Sequence, residues 1–258
     1  MKIEEMITDA AVNLSPHKHP FLNPYHGCPM GCPFCFWLSE EGWENRIQVK
    51  VNIVEVLNQY LKETGGRELL YLGSVCDPFM EMEQEYGLTR RCLEVIKDYA
   101  VPLLITTSAV SDVILQELDL LKSMVQRVII VVELSRIHEV EEMNKGGSHK
   151  GIEHANVLKA AGMEVWTTLS PILPGITDLS KVLVQLNDDI PVYIDRLSCT
   201  SKEIQGQRVM EWIRRDYPEF EDQYEKIIDL QDFTYFEKLL SEYEGDNRVK
   251  TFPFQLGE

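Results

Sequence analysis

The sequence predicts an α/β protein built as a partial (β/α)6 TIM-like barrel with a helical C-terminal extension. Three observations point there. Apolar segments of strand length alternate with segments of helical period after residue 50, the rhythm of parallel β/α units. About six such units can be counted, fewer than the eight that close a full (β/α)8 barrel. Beyond Gln205 the alternation stops and only helical periodicity remains. Residues 1–200 are therefore expected to form the barrel, and residues 201–258 an extension packed upon it.

Pro20 to Gly27 reads as the first strand. Asn52 is placed to cap the first helix with Glu55 closing a capping box, Ile53, Val56, Leu57, Tyr60 and Leu61 forming its apolar face and Gly65-Gly66 ending it. A strand Glu68 to Gly73 follows, then a helix capped by Thr89 with Cys92, Val95, Ile96 and Tyr99 on one face, and a buried strand Pro102 to Thr106. Ser111 opens a helix that turns Ile114, Leu118, Leu121 and Val125 inward. The β-branched run Arg127 to Glu133 suits a strand covered on both faces. A helix from about His149 to Ala161, a strand Glu164 to Ser170, a short helix from about Asp178 and a strand Val192 to Asp195 complete the units. In the extension, Val209, Trp212 and Ile213, then Tyr224, Ile227 and Ile228, then Phe236, Leu239 and Leu240 share faces, and these aromatic rings read as core.

The chain has 258 residues, 44% of them hydrophobic, enough to bury a full core. It carries 25 Lys plus Arg against 42 Asp plus Glu, a formal net charge of −17. That balance repels phosphate backbones, and no basic stripe offsets it, so nucleic acid is an unfavoured partner. No apolar run reaches spanning length and the N-terminus carries no leader pattern, so no membrane association and a cytoplasmic location are expected. The six cysteines cluster too far forward for a disulfide framework, which suits a reducing compartment.

Chemistry concentrates in Asn23-Pro-Tyr-His-Gly-Cys-Pro-Met-Gly-Cys-Pro-Phe-Cys-Phe36. Cys28, Cys32 and Cys35 stand in Cys-x3-Cys-x2-Cys spacing, which lets one loop present three soft thiolate ligands to an iron–sulfur cubane and leaves one iron open. A structural zinc site would want a fourth ligand, which His26 or a distant cysteine would supply. Pro29, Gly31 and Pro33 suit a tight loop for either metal, and the spacing favours the cluster.

The motif, with Phe34 as its aromatic, resembles the signature of the radical S-adenosylmethionine superfamily. Gly73-Ser-Val-Cys-Asp-Pro-Phe79, Leu88-Thr-Arg-Arg-Cys-Leu-Glu-Val-Ile96 and Pro171-Ile-Leu-Pro-Gly-Ile-Thr-Asp178 extend the resemblance, over about residues 20 to 220, to the branch related to spore photoproduct lyase. The resemblance implies one [4Fe-4S] cluster on Cys28, Cys32 and Cys35, S-adenosyl-L-methionine chelated at the open iron, and reductive cleavage to a 5′-deoxyadenosyl radical that abstracts hydrogen from substrate. It also implies a reducing partner such as flavodoxin or ferredoxin.

Residues that follow the strands converge on the site in such folds. Phe34, Ser74, Cys76, Asp77, Thr107, Glu133, Ser135, Ser170 and Ile172 are accordingly the cofactor-binding candidates. Asp77 is expected to accept from the cofactor's ammonium, Glu133 and Ser135 to meet the ribose, and Ser170 and Ile172 to flank ribose and adenine. Thr107 stands where many relatives have a lysine. Cys76 and Cys199 are candidate hydrogen-atom donors, with burial as small hydrophobes the plainer reading, which also suits Cys92. His17 and His19 read as surface histidines, and Trp37 and Trp43 either shield the cluster or pack.

The leading expectation is a radical S-adenosylmethionine enzyme acting on a small molecule or a peptide. The alternatives are a DNA photoproduct lyase-like repair enzyme, an activase of glycyl-radical enzymes, and a non-catalytic metal-binding interaction protein.

Overall fold

A computed structural model describes residues 1–14 and 20–252. His17 and His19 lie outside the described residues. In chain order the elements are β1 (Lys2–Met6), β2 (Val12–Leu14), β3 (Pro20–Leu22), β4 (Tyr25–His26), β5 (Arg46–Lys50), α1 (Ile53–Thr64), β6 (Leu70–Leu72), α2 (Glu83–Tyr86), α3 (Leu88–Asp98) and β7 (Leu103–Thr107). There follow α4 (Val113–Gln116), α5 (Leu118–Lys122), β8 (Val128–Glu133), α6 (Ile137–Asn144), α7 (Lys150–Ala160), β9 (Glu164–Ile172), α8 (Leu179–Gln185), β10 (Val192–Arg196), α9 (Ile204–Asp216), α10 (Glu221–Leu230), α11 (Thr234–Glu242) and β11 (Val249–Thr251).

The main sheet runs β11-β10-β9-β8-β7-β6-β3-β2. All its pairings are parallel except β2 with β3, and its two edge strands do not meet, so the barrel is splayed open. Strands β3, β6, β7, β8, β9 and β10 are the six expected. In β8 every residue from Val128 to Val132 is buried, as a β-branched run covered on both faces requires. A separate small sheet, β1-β5-β4, pairs β5 parallel to β1 and antiparallel to β4, and it carries the start of the cysteine loop.

Several local expectations are corrected. The segment from Pro20 to Gly27 is not one strand: β3 joins the barrel and β4 joins the small sheet. Asn52 makes no helix cap; its side chain accepts from the Thr8 amide and donates to the Thr8 carbonyl, both at 2.9 Å, tying the β1–β2 link to the start of α1. The other end of α1 follows its sequence, with Gly65 left-handed and its N–H on the Leu61 carbonyl.

Thr89 lies inside α3 and donates its hydroxyl to the Pro78 carbonyl. The first-turn amides of Thr89 and Arg90, which have no partner within the helix, are instead taken by the buried Glu83 carboxylate at 2.9 and 3.0 Å. Ser111 hydrogen-bonds the Phe79 carbonyl, the helix after it is split into α4 and α5, and Val125 is 89% exposed rather than inward.

The extension is helical as expected, with Trp212, Ile213, Tyr224, Ile227, Ile228 and Phe236 buried. It is not only helical. β11 returns to the barrel and pairs in parallel with β10, Val192 opposite Val249, adding a seventh parallel strand.

Candidate functional site

A cavity of about 660 Å³ opens at the C-terminal ends of the strands. Its wall combines the cysteine loop with the C-terminal ends of β7, β8, β9 and β10 and the segments that follow β6, β7, β8 and β10. Parallel strands end at one side of the sheet, so residues far apart in sequence meet there.

The loop begins where β4 ends. Gly27 has φ of +106°, and a Cβ there would sit 2.1 Å from the Arg46 carbonyl oxygen, so glycine is required for the loop to leave the sheet. The loop is then pinned by the Cys28 amide to the Trp43 carbonyl, by the Cys35 amide to the Cys32 carbonyl and by the Leu38 amide to the Cys35 carbonyl, each at 3.1 Å. Cys28, Cys32 and Cys35 all line the cavity as free, half-buried thiols. Burial pushes Cys28 up to about 11 and Cys32 up to about 12. Burial also raises Cys35, against hydrogen bonds from the Trp37 backbone and the Trp43 side chain. Without a cation these thiols stay protonated, and a bound metal reverses that balance.

Among the described residues no three His, Cys, Asp or Glu side chains converge tightly enough to hold a single metal ion. A single zinc ion asks for that convergence. A cubane does not, because each thiolate takes a different iron. His26, one candidate for a fourth zinc ligand, is engaged elsewhere: its Nε2 meets a Glu40 oxygen at 2.5 Å and its ring lies edge-on to Trp43. Three thiols of one loop on the cavity wall, with Cys76 turned to the Tyr25 carbonyl, fit a cluster with one open iron.

The other predicted residues divide. Phe34, Ser74, Cys76, Asp77, Thr107, Glu133, Ser170 and Cys199 all line the cavity. Ser135 and Ile172 do not, and both are buried. The Ser135 hydroxyl has no partner, and only its amide takes part, donating to Glu133 Oε1 at 2.7 Å. Ile172 belongs to the core, and Pro171 takes the cavity position beside Ser170.

Asp77 is occupied otherwise than expected. Its Oδ1 accepts from the Phe79 amide and the Thr107 hydroxyl, both at 2.9 Å. Its Oδ2 accepts from the Ser108 amide at 2.9 Å and the Ser108 hydroxyl at 2.6 Å. A carboxylate offers about four such positions, so Asp77 has none left for an ammonium group. It acts as a clamp joining the loop after β6 to the loop after β7.

Cys76 is buried and donates its thiol hydrogen to the Tyr25 carbonyl at 2.9 Å, and burial drives its ionisation far upward. Cys199 stands after β10, half-buried, its thiol pushed up to about 11 by burial. Burial pushes the Glu133 carboxyl up to about 7, the hydrogen bond from the Ser135 amide opposing the shift. Cys92 is fully buried on α3, as its apolar position requires.

Arg136 was not foreseen. It lines the cavity at the start of α6, one residue beyond Ser135. Its guanidinium contacts the Met30 thioether, a weak acceptor, and among the described residues no carboxylate forms an ion pair with it. The signal available in the sequence was a cation just after the clearest strand, near a site whose lysine position is filled by Thr107. Trp37 and Trp43 stack at 5.5 Å between centroids, and both line the cavity beside the cysteine loop.

No protein-family model matches the chain. An uncharacterized protein of Mycobacterium tuberculosis is 24% identical over 252 residues, covering 86% of this chain and 72% of the relative. Among solved structures, spore photoproduct lyase is similar with a TM-score of 0.58 at 18% identity, covering 80% of this chain and 66% of that one. One form of that enzyme holds AdoMet and a dinucleoside spore photoproduct. SuiB of Streptococcus suis, bound to its precursor peptide SuiA, is similar with a TM-score of 0.53 at 13% identity, covering 92% of this chain and 49% of that one. The chain thus has the radical S-adenosylmethionine fold of the spore photoproduct lyase type, and it spans about two thirds and one half of the lengths of these two enzymes. No helix among the described residues is long and apolar enough to cross a membrane.

Proposed function

We propose that this chain is a radical S-adenosylmethionine enzyme that transforms a small molecule or a peptide. The observation that carries the reading is the placement of Cys28, Cys32 and Cys35 on the wall of a strand-end cavity beside the Arg136 guanidinium, which touches Met30 of the same loop. When bound, a [4Fe-4S] cluster and S-adenosylmethionine supply a 5′-deoxyadenosyl radical able to abstract hydrogen.

The chain's own residues then bind, orient and exclude water. Arg136 takes the cofactor's carboxylate, replacing the cation missing at Thr107; a guanidinium engaged in no ion pair among the described residues is suited to a bidentate carboxylate. Glu133 and Ser170 offer polar groups to the ribose hydroxyls, and Phe34 an aromatic ring beside the adenine. Trp37 and Trp43 cover the cysteine loop. Cys76 and Cys199 are the thiols available to return a hydrogen atom to a substrate radical. Burial keeps both protonated, which such a role requires, and only Cys76 has its hydrogen held by a carbonyl.

SuiB's complex with its precursor peptide supports a peptide substrate in a fold of this kind. The dinucleoside bound to spore photoproduct lyase supports a lesion substrate instead, but a net charge of −17 disfavours a duplex partner.

The test is anaerobic reconstitution with iron and sulfide, reduction by dithionite and chromatography for 5′-deoxyadenosine, with Cys32→Ala as control. Product in the parent and none in the variant is expected. An intact, reduced cluster that never yields product would turn the reading toward a binding protein.

A further inference from the structure

The C-terminal extension does more than pack upon the barrel: it holds the loop that follows β10. The Leu197 amide donates to the Tyr235 hydroxyl at 2.9 Å, and that hydroxyl donates to the Ile172 carbonyl at 3.3 Å. The Gln231 side chain donates to the Cys199 carbonyl at 3.3 Å. The Thr200 amide and hydroxyl are taken by Glu203 Oε2 at 2.6 and 2.9 Å. A Cβ at Gly206 of α9 would lie 2.0 Å from the Thr200 carbonyl oxygen, so helix and loop are in direct contact. Leu197, Ser198 and Cys199 of this loop line the cavity, and so does Arg196, the last residue of β10.

Arg196 is exposed, yet its side chain is held. Its guanidinium carbon lies 4.1 Å from the centroid of the Phe233 ring, at the start of α11. A cation resting on a ring face keeps its N–H donors free for an acceptor in its own plane. Among the described residues five carboxylates line the cavity, and each has a partner. Glu44 binds Arg208 at 2.9 Å, Asp77 is the clamp, Glu133 takes the Ser135 amide, Glu203 takes Thr200, and Asp195 accepts from the Arg196 amide at 2.8 Å. The two cations on the same wall, Arg136 and Arg196, form no ion pair among the described residues. Arg136 is assigned to the cofactor above, which leaves the Arg196 guanidinium for a second anion.

We propose that Arg196 is the substrate-recognition residue of this cavity, that it takes a carboxylate of the substrate, and that Phe233 is the positioning residue that presets its guanidinium. The proposal rests on the reading of the cavity as an S-adenosylmethionine site. A planar fork of donors matches a carboxylate in two parallel hydrogen bonds. Because the fork already rests on a ring, less affinity is lost to ordering a long side chain when the anion arrives. Asp195 and Glu203 on the same wall limit the charge of that anion. A single carboxylate is tolerated beside them, whereas a doubly charged phosphate is repelled more strongly. The ligand is therefore a substrate with one carboxylate at the recognition point, supplied by a small organic acid or by the end of a peptide.

Binding is measured by anaerobic calorimetry on the reconstituted protein saturated with S-adenosylmethionine. The probes are N-acetylglycine, N-acetyl-tetra-alanine, the C-terminal amide of each, and inorganic phosphate. At least one acid is expected to bind about tenfold or more tightly than its amide, the effect of a charge-assisted pair. The acid that binds tighter identifies the source, small acid or peptide end. Arg196→Gln is expected to erase the preference for acid over amide and to keep the affinity for S-adenosylmethionine within about twofold. Phe233→Leu, which keeps apolar bulk and loses the ring face, is expected to shrink the preference by about two- to fivefold, and Phe233→Tyr to restore it. A parent-like preference in Phe233→Leu overturns the positioning role. Acid and amide that bind alike, a preference that survives in Arg196→Gln, or phosphate that outbinds both acids overturns the proposal. So does a parent that binds S-adenosylmethionine and neither acid, with the function above left standing. Loss of S-adenosylmethionine binding in Arg196→Gln assigns the residue to the cofactor and also overturns it. A reconstituted parent that binds no S-adenosylmethionine overturns both readings.

Discussion

Asp77 offers the sharpest test of the reasoning from geometry. If it is a clamp, replacing it damages folding; if it holds the cofactor's ammonium, replacing it damages binding and spares the fold. Asp77→Ala strands four donors. The Thr107 and Ser108 hydroxyls rotate toward other acceptors, but the buried Phe79 and Ser108 amides do not. Two orphaned amides at about 1–3 kcal/mol each give a loss of about 2–6 kcal/mol. That is a large share of the roughly 5–15 kcal/mol that holds a typical domain folded. At about 2–4 °C per kcal/mol for a chain of this size, a loss of about 3 kcal/mol lowers the melting temperature by about 6–12 °C. Asp77→Asn keeps one oxygen and turns its NH2 group toward the Ser108 amide, so it should lose about half as much. The assay is anaerobic denaturant unfolding of the metal-free protein, where the cofactor plays no part. An Asp77→Ala protein within about 0.5 kcal/mol of the parent would refute the clamp.

Two further outcomes are expected. Arg136→Ala should weaken S-adenosylmethionine binding to the reconstituted protein by about tenfold or more in calorimetry, and Arg136→Lys by less, because lysine keeps the charge and loses the two-pronged geometry. Gly27→Ala should lower stability by about 2 kcal/mol or more and cut the iron bound after reconstitution, since its Cβ would lie 2.1 Å from the Arg46 carbonyl. Parent-like iron content in that variant would show that the loop leaves β4 by some other route.

The parts of the fold that sequence revealed are those in which one property repeats. The β8 run is continuous and β-branched, and the α1 face recurs every third or fourth residue before a glycine, so each reads without knowledge of its surroundings. Features that depend on a distant partner did not read. Asn52 has the chemistry of a cap, and nothing nearby in the chain indicates that Thr8 takes it. α6 went unseen because only Val140 and Met143 of its eight residues are buried, and β11 because three residues show no period. In the site, most of the residues named from strand-end position line the cavity. It did not say which donors fold back on Asp77, nor that Arg136 rather than Ser135 turns inward, because side-chain direction at a loop is set by contacts across the sheet.

β11 closes one flank of the sheet with three residues, after three helices have intervened since β10. Until that return is made, the backbone of Val192, Tyr193 and Ile194 presents unpaired groups along a parallel strand, a template for any extended chain nearby. Delivery of a short strand by a long detour is also the arrangement in which two molecules most readily exchange identical pieces. A shortened chain that stops after α11 would keep the whole cavity wall and yet lose its guard against self-association. The edge of β10 is thus covered by a segment that does not line the cavity.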